Sequence, residues 1–158
     1  MGDQDVPEAP RGDDRHSDHR IVVGFDGSAP SLAALEWGAR QAELTGAMLE
    51  VVTSWEWPET WGWAPPLPSG YDPSDDGRKL LDKAKSMALA GHPSITVDTV
   101  LREGSPAPTL VEASAGAELL VVGSRGHGEF AGMLLGSVSE HCCSHARCPV
   151  LIIHGPSA

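Results

Sequence analysis

The run from Leu119 to Ser139, LLVVGSRGHGEFAGMLLGSVS, constrains the fold more than any other part of the sequence. Its first four residues, Leu119 to Val122, are all apolar and predict a short strand that is buried on both faces. A glycine-containing loop follows, and beyond it we expect a helix from Ser137 to about Ala146. A buried strand that enters a helix through a glycine loop is typical of α/β proteins that bind a ligand in that loop.

Two glycines, Gly123 and Gly126, stand at the beginning of this loop. Glycine adopts positive φ angles at little cost and lets the backbone come close to a ligand, and we expect both residues to do so. Successive backbone N–H groups in such turns form a concave site that attracts anions. The beginning of the loop therefore indicates a phosphate site.

The end of the loop carries a second anion signal. Ser137 is suited to cap the following helix, and Glu140, three residues later, suits the reciprocal half of a capping box. The unpaired N–H groups and the positive end of the helix dipole favour a phosphate there. We expect four residues to contribute, the first three through the backbone and the last through its hydroxyl: Gly136, Ser137, Val138 and Ser139.

The rest of the chain alternates between strand and helix signals. Arg20 to Asp26 predicts a first strand, and Ser28 and Pro30 are suited to begin a helix that Gly46 ends in a left-handed cap. Apolar patterns predict further elements, namely strands at Met48–Ser54, Ile95–Leu101 and Pro149–Ile153 and helices at Asp76–Ala90 and Ser105–Ala115. Strands separated by helices indicate a parallel sheet with right-handed crossovers.

The spacing G-x2-G-x9-G-[ST] is met by Gly123, Gly126, Gly136 and Ser137 and resembles the ATP-binding signature of the universal stress protein family. Two other segments agree with that family: IVVGFDGS near the beginning and CPVLII near the end. The resemblance extends from Arg20 to His154.

The resemblance implies a Rossmann-like α/β fold of the adenine nucleotide alpha hydrolase type. Such a fold is an open parallel five-stranded sheet in the order 3-2-1-4-5 with helices on both faces. The winding direction then reverses between strands 1 and 4, and a crevice opens at their carboxyl ends. Because Asp26 ends strand 1 and Gly123 follows strand 4, we expect them to flank that crevice.

The resemblance also implies ATP as the ligand. It places Asp26 at the nucleoside end and the backbone of Val52 against the adenine edge. From its charge alone, Asp26 suits hydrogen bonds to ribose or adenine, or a Mg²⁺ ion that bridges the phosphates. Arg125 and His127 either reach the phosphates or remain in solvent.

Together these features predict an ATP-binding regulatory module of the stress response. A different interpretation of the same pocket is a slow ATP hydrolase or phosphotransferase, and a third is a nucleotide-free dimeric scaffold. No catalytic residue is assigned, since no nucleophile with its base can be assembled from local spacing. The G-x4-G-K-[ST] motif and the G-x-S-x-G elbow are both missing from the sequence.

Charge and composition limit the classes of partner that we expect for this chain. The chain has 22 acidic and 11 basic residues, a net charge of −11, which disfavours nucleic acid as a partner. No apolar run is long enough to span a membrane, and three clustered cysteines fit a reducing compartment, so we expect a cytoplasmic protein without membrane contact. Residues 1–19 predict a disordered acidic tail, and residues 20–155 predict the universal stress protein domain.

Two segments leave alternatives open. The stretch Trp55–Asp76 contains four of the five tryptophans and is either a surface loop that covers one edge of the core, or a lid or partner contact. The cluster His141, Cys142, Cys143, His145 and Cys148 either packs on the last helix or binds zinc or copper(I). For this cluster we expect packing and no metal.

The last strand is expected at an edge of the sheet, where an apolar strand must be covered or paired. The family resemblance implies a two-fold homodimer through Pro149–Ile153. Val150 and Ile152 should then lie on one face of the strand, and Leu151 and Ile153 on the other.

Overall fold

Strands and helices alternate through the computed structural model, which describes residues 19–59, 62–63, 65–126 and 134–155. In chain order they are β1 (Arg20–Gly24), α1 (Ala29–Thr45), β2 (Met48–Trp55), α2 (Pro73–Gly91), β3 (Val97–Glu103), α3 (Pro106–Ser114), β4 (Leu119–Gly123), α4 (Ser137–His145) and β5 (Val150–Ile153). All strand pairs are parallel, and the sheet order is β3-β2-β1-β4-β5, which confirms the predicted fold.

Side chains of the central strands alternate between two apolar layers. Ile21 and Val23 pack with α1 and α2, whereas Val22 packs with α3 and α4 on the opposite face. All three are at most 1% exposed. Burial on both faces explains the continuous apolar runs, because neither face of the sheet meets water.

Helix α1 begins and ends as predicted. The side chain of Ser28 caps it by accepting a hydrogen bond from the Ser31 N–H, and Pro30 lies in the first turn. Gly46 ends it with a φ of 75°, the left-handed conformation that glycine tolerates best.

Two other helix starts differ from the prediction. Helix α2 begins at Pro73 rather than Asp76, because Asp72 caps it by accepting from the Ser74 N–H at 2.9 Å, a local signal that precedes the apolar pattern. The predicted capping box of α4 is wrong. Gly136 is the N-cap and Ser137 is already helical, which moves Glu140 one position too far along the helix.

Strand ends also shift in a way that matters for the site. Pairing of β1 with β2 ends at Gly24 opposite Val52, so Phe25 and Asp26 lie beyond the strand. Because β1 ends at Gly24 whereas β2 continues to Trp55, the last residues of β2 have no β1 neighbour on the crevice side of the sheet.

The predicted acidic tail lies outside the described residues, except for His19. This residue contacts the fold: its carbonyl accepts the Met48 N–H at 3.1 Å, and its Nδ1 lies 2.9 Å from Glu118 Oε2. None of the helices in the described ranges is both long and apolar enough to cross a bilayer.

His92, which follows the last residue of α2, joins that helix to α1. Its Nδ1 lies 2.6 Å from Glu43 Oε2 and its Nε2 lies 3.2 Å from Glu36 Oε1. Because carboxylates only accept, both ring nitrogens donate when the imidazole is protonated. The hydrogen bond to Glu43, followed by that to Glu36, raises the pKa of His92 above its ordinary value.

We expect His92→Gln to destabilise the protein more at about pH 6 than at about pH 9. Because the folded-state pKa of His92 is raised, its contribution is complete below the unfolded-state pKa and is lost as pH rises through the folded-state value. Urea unfolding of wild type and variant at both pH values measures the difference. The exposed His154→Gln serves as the matched control. A His92→Gln penalty that stays constant with pH would show that the imidazole is held neutral.

Candidate functional site

A cavity of about 270 Å³ opens at the carboxyl ends of β1, β2 and β4, where the winding of the sheet reverses. Residues 24–26 and 52–56 form one part of its wall. The beginning of the glycine loop and the first turn of α4 form another, and residues of α1, α2 and α3 together with Gly104 complete it. The topology thus brings the two sequence motifs, which are far apart in the chain, to one crevice.

Most of the predicted site residues line this cavity. They are Asp26, Val52, Gly123, Arg125, Gly126, Gly136, Val138 and Ser139. Ser137 is exposed and does not line it with these residues, although its backbone is in the first turn of α4. His127 lies outside the described residues.

Gly123 and Gly126 are required for space rather than for unusual torsion angles. Neither has a positive φ, so that part of the prediction is wrong. A Cβ on Gly123 would lie 2.7 Å from Pro30 Cβ and 2.8 Å from the Pro30 carbonyl carbon. A Cβ on Gly126 would lie 2.7 Å from Asp26 Oδ2. The glycines let the end of β4 approach the beginning of α1 and the Asp26 carboxylate.

Asp26 is held at the edge of the cavity by Ser28. Its Oδ1 accepts the Ser28 N–H at 2.9 Å and also the Ser28 hydroxyl. Because Ser28 is itself the N-cap of α1, the carboxylate is fixed relative to that helix. A carboxylate held in this way can accept hydrogen bonds from ribose hydroxyls or provide an oxygen ligand to a hard cation.

The two ends of the glycine loop are joined through Ser124. Its carbonyl accepts the Gly136 N–H at 2.7 Å and the Ser139 hydroxyl at 2.9 Å. The Ser139 hydroxyl also lies 3.0 Å from the Gly136 carbonyl, and its side chain is buried. Its single proton is therefore engaged within the protein, and Ser139 closes the loop instead of donating to a phosphate.

Among the described residues, the backbone N–H groups at the start of α4 are candidate phosphate donors. The first intrahelical bond of α4 runs from the Glu140 N–H to the Gly136 carbonyl. The N–H groups of Ser137 and Val138 precede that bond and point out of the helix end. They agree with the predicted cradle, whereas the Gly136 N–H is directed to Ser124.

Ser54 is a site residue that sequence reasoning missed. The Val52 carbonyl accepts the Phe25 N–H at 3.0 Å, so this carbonyl already has a partner directly after β1. The Trp55 carbonyl, by contrast, points towards β3, where it accepts the Gly104 N–H. Backbone groups of successive residues in a strand point to opposite sides. Those of Ser54 therefore point to the same side as those of Val52, where β1 has already ended. Ser54 also lines the cavity, and its N–H and C=O form a donor–acceptor pair at that wall.

The described tryptophans of this segment have different environments: one lines the cavity and two are exposed to solvent. Trp55 ends β2 and lines the cavity together with Glu56, whose Oε1 accepts the Ser105 hydroxyl at 3.0 Å. Trp57 is 54% exposed and Trp63 is 86% exposed, so these two do not cover the core. Trp61 lies outside the described residues. Glu56, the polar residue directly after the second strand, was the signal that could have identified this wall.

The cysteines and histidines of the predicted cluster lie on different sides of α4. Cys142 is fully buried and packs with Leu110 and Leu120, and burial raises the pKa of its thiol to about 11. Cys143, His141 and His145 are exposed on the outside of the helix. The buried thiol therefore belongs to the core, and the five residues do not share one face.

The model of the universal stress protein family matches residues 19–154. Universal stress protein Rv2623 of Mycobacterium tuberculosis is 42% identical over 142 residues, covering 85% of this chain and 47% of that protein. Universal stress protein Rv2005c of the same organism is 38% identical over 154 residues, covering 89% and 49%. The chain spans about half the length of the curated relatives it matches.

Solved structures show the same fold. A universal stress protein in complex with cAMP is 30% identical and superposes with a TM-score of 0.67, covering 87% of this chain and 98% of that chain. A member of the universal stress protein family from Burkholderia pseudomallei is 29% identical with a TM-score of 0.61, covering 87% and 96%.

We expect Gly123→Ala to lower the free energy of unfolding by about 1–3 kcal/mol, because the added methyl overlaps backbone atoms of Pro30 that cannot move alone. Gly91→Ala is the matched control, since a Cβ there meets only Glu36 Oε2 at 3.8 Å. Urea unfolding of both variants measures the difference. Equal stability of the two variants would contradict the tight contact between β4 and α1.

Proposed function

The chain belongs to the universal stress protein family, and on this basis we propose that it binds an adenine nucleotide, ATP, and acts as a regulatory module of the stress response. The observation that carries the proposal is a single cavity bounded by Asp26, the glycine loop and the first turn of α4. The relative solved with cAMP supports an adenine nucleotide as the class of ligand.

The phosphates would lie against the start of α4. The N–H groups of Ser137 and Val138 and the positive end of the helix dipole suit a phosphate there. The exposed Arg125 contributes a guanidinium at the cavity wall and offsets part of the chain's negative charge. These groups recognise phosphate mainly through the backbone.

The nucleoside would lie between β2 and α3. The backbone N–H and C=O of Ser54 match the acceptor and amino donor that adenine presents side by side on its pairing edge. Apolar wall residues such as Leu110 and Val122 suit the face of the base. Asp26, held by Ser28, would accept from a ribose hydroxyl or hold a Mg²⁺ ion that the phosphates also bind. Such an ion would neutralise phosphate charge.

The side chains at the cavity support binding of ATP without rapid turnover. The Ser139 hydroxyl donates within the protein, and Asp26 is engaged by Ser28, so neither is set up as a general base for water. The alternatives are a slow ATP hydrolase or phosphotransferase that uses this pocket, and a nucleotide-free scaffold. The proposal includes a cytoplasmic location, which the free cysteines support.

We expect ATP to be released when the freshly purified protein is denatured, as measured by chromatography and mass spectrometry. Asp26→Asn and Gly126→Ala should each lower nucleotide content and weaken ATP binding in calorimetry. The first alters the nucleoside contact, and the second places a methyl 2.7 Å from Asp26 Oδ2. The distant Gly91→Ala should retain wild-type binding.

Three outcomes separate the candidate functions. Bound ATP that remains intact during prolonged incubation with Mg²⁺ supports a binding module. Conversion to ADP that is lost in Asp26→Asn would establish the enzyme instead. Absence of nucleotide from the purified wild type, together with no binding of ATP, AMP or cAMP in titrations, would reject the nucleotide site and favour the scaffold.

We also propose that β5 pairs with β5 of a second copy. β5 is the last strand of the described sheet, with Val150 and Ile152 towards one apolar layer and Leu151 and Ile153 towards the other, as predicted. The Pro149 carbonyl accepts the Leu120 N–H of β4, and the Ile153 carbonyl accepts the Ser124 N–H directly after β4. By alternation, the backbone groups of Val150 and Ile152 point to the outer edge.

Ile152→Pro should therefore convert a dimer to a monomer in light scattering, because it removes an outward N–H from the edge strand. Circular dichroism checks that the fold is retained. A wild-type protein that is monomeric at high concentration, or a dimer that survives in the folded variant, would contradict pairing through β5.

A further inference from the structure

Two histidines lie one turn apart on the exposed side of α4. The ring centroids of His141 and His145 are 4.3 Å apart, and the ring planes differ by only 20°. Residues four positions apart on a helix share a face, and both side chains are open to solvent. The rings are therefore already side by side.

The orientation of His145 is fixed by a backbone contact. Its Nδ1 lies 3.1 Å from the His141 carbonyl oxygen, and since a carbonyl only accepts, Nδ1 carries the proton. In the neutral ring, the lone pair is then on Nε2, which points away from the helix backbone. A histidine that donates one ring N–H to a carbonyl and offers the other nitrogen has the arrangement typical of metal-bound histidines.

The position of the pair along the helix favours a cation. His145 is the last residue of α4, where the negative end of the helix dipole and the unpaired carbonyls are located. Glu140 lies next to His141 and adds a negative charge on the same helix, while Arg147 follows the helix and is the nearby positive residue in sequence.

We propose that His141 and His145 form a two-imidazole site for a divalent transition metal, with Zn²⁺ as the reference ion. Paired histidines four residues apart on one helix face are an established way to hold zinc. Zinc–nitrogen bonds of about 2.0–2.1 Å require the two nitrogens to come roughly 3.3 Å apart. Because a metal lies in the plane of each imidazole that binds it, the exposed His141 ring must turn out of the parallel stack about its side-chain bonds.

The site has only two ligands from the part of the chain that the structure describes. Within that part, no group of three or more His, Cys, Asp and Glu side chains is arranged to hold a metal. Cys142 points into the core, so it cannot complete the site. The other tetrahedral positions are therefore open to solvent, and the site is one for reversible binding rather than for structural zinc.

The test is a calorimetric titration of reduced protein with zinc chloride. Nucleotide is removed first, because the phosphates of a bound ATP would themselves bind zinc. All variants carry Cys143→Ser, which removes the exposed thiol of α4. We expect one Zn²⁺ per chain and a loss of affinity of about tenfold or more in both His141→Ala and His145→Ala. His154→Ala, which removes an exposed imidazole outside the pair, should bind as tightly as the Cys143→Ser parent.

Cobalt(II) absorption provides a second readout, since nitrogen and oxygen ligands lack the intense thiolate charge-transfer band. Its absence supports the imidazole pair. Zinc binding that survives both histidine variants, or that disappears with Cys143→Ser alone, would overturn the proposal. So would a parent protein with no binding above that of a single histidine. Circular dichroism confirms that the variants retain the fold, and none of these outcomes depends on whether the protein binds ATP.

Discussion

The site depends on the parallel pairing of β1 with β4. Ile21 pairs with Leu119 and Val23 with Val121, so two strands almost a hundred residues apart lie side by side at the centre of the sheet. The helices that follow β1 and β4 pack on opposite faces of the sheet. Neither connection therefore covers the crevice between the two strands. Because β1 ends at Gly24 while β2 continues, the cavity extends over the exposed backbone of Ser54. The pocket is thus a consequence of topology before any side chain is considered.

Close main-chain contacts shape the glycine-loop side of this pocket. Gly123 lets β4 contact Pro30, and Gly126 lets the loop approach Asp26. Ser139 then joins both ends of the loop through the Ser124 carbonyl. In the part of the wall that the structure describes, the backbone N–H groups at the start of α4 suit an anion, as the proposed nucleotide site requires.

Helix α4 carries the proposed phosphate contacts at its N-terminus and the proposed metal site towards its C-terminus. Its first turn would offer N–H groups to the proposed nucleotide, and its C-terminal half carries the stacked imidazoles. The helix dipole favours opposite charges at these ends, so a single short element can serve both without conflict. Cys142 anchors the middle of the helix to the core, which keeps the first turn in register with the glycine loop.

The sequence by itself determined the element order, the parallel sheet, the glycine signature and the caps of α1, because apolar periodicity and capping are local properties of a chain. The same local signals failed where distant segments decide. The capping box at Ser137 was overridden by the placement of Gly136 against Ser124, and the glycine torsions by the need for contact with Pro30 and Asp26. Only the tertiary structure assigned Ser54 to the site, since its backbone is exposed by the end of a neighbouring strand. Such exposure results from pairing between strands, which no local pattern encodes.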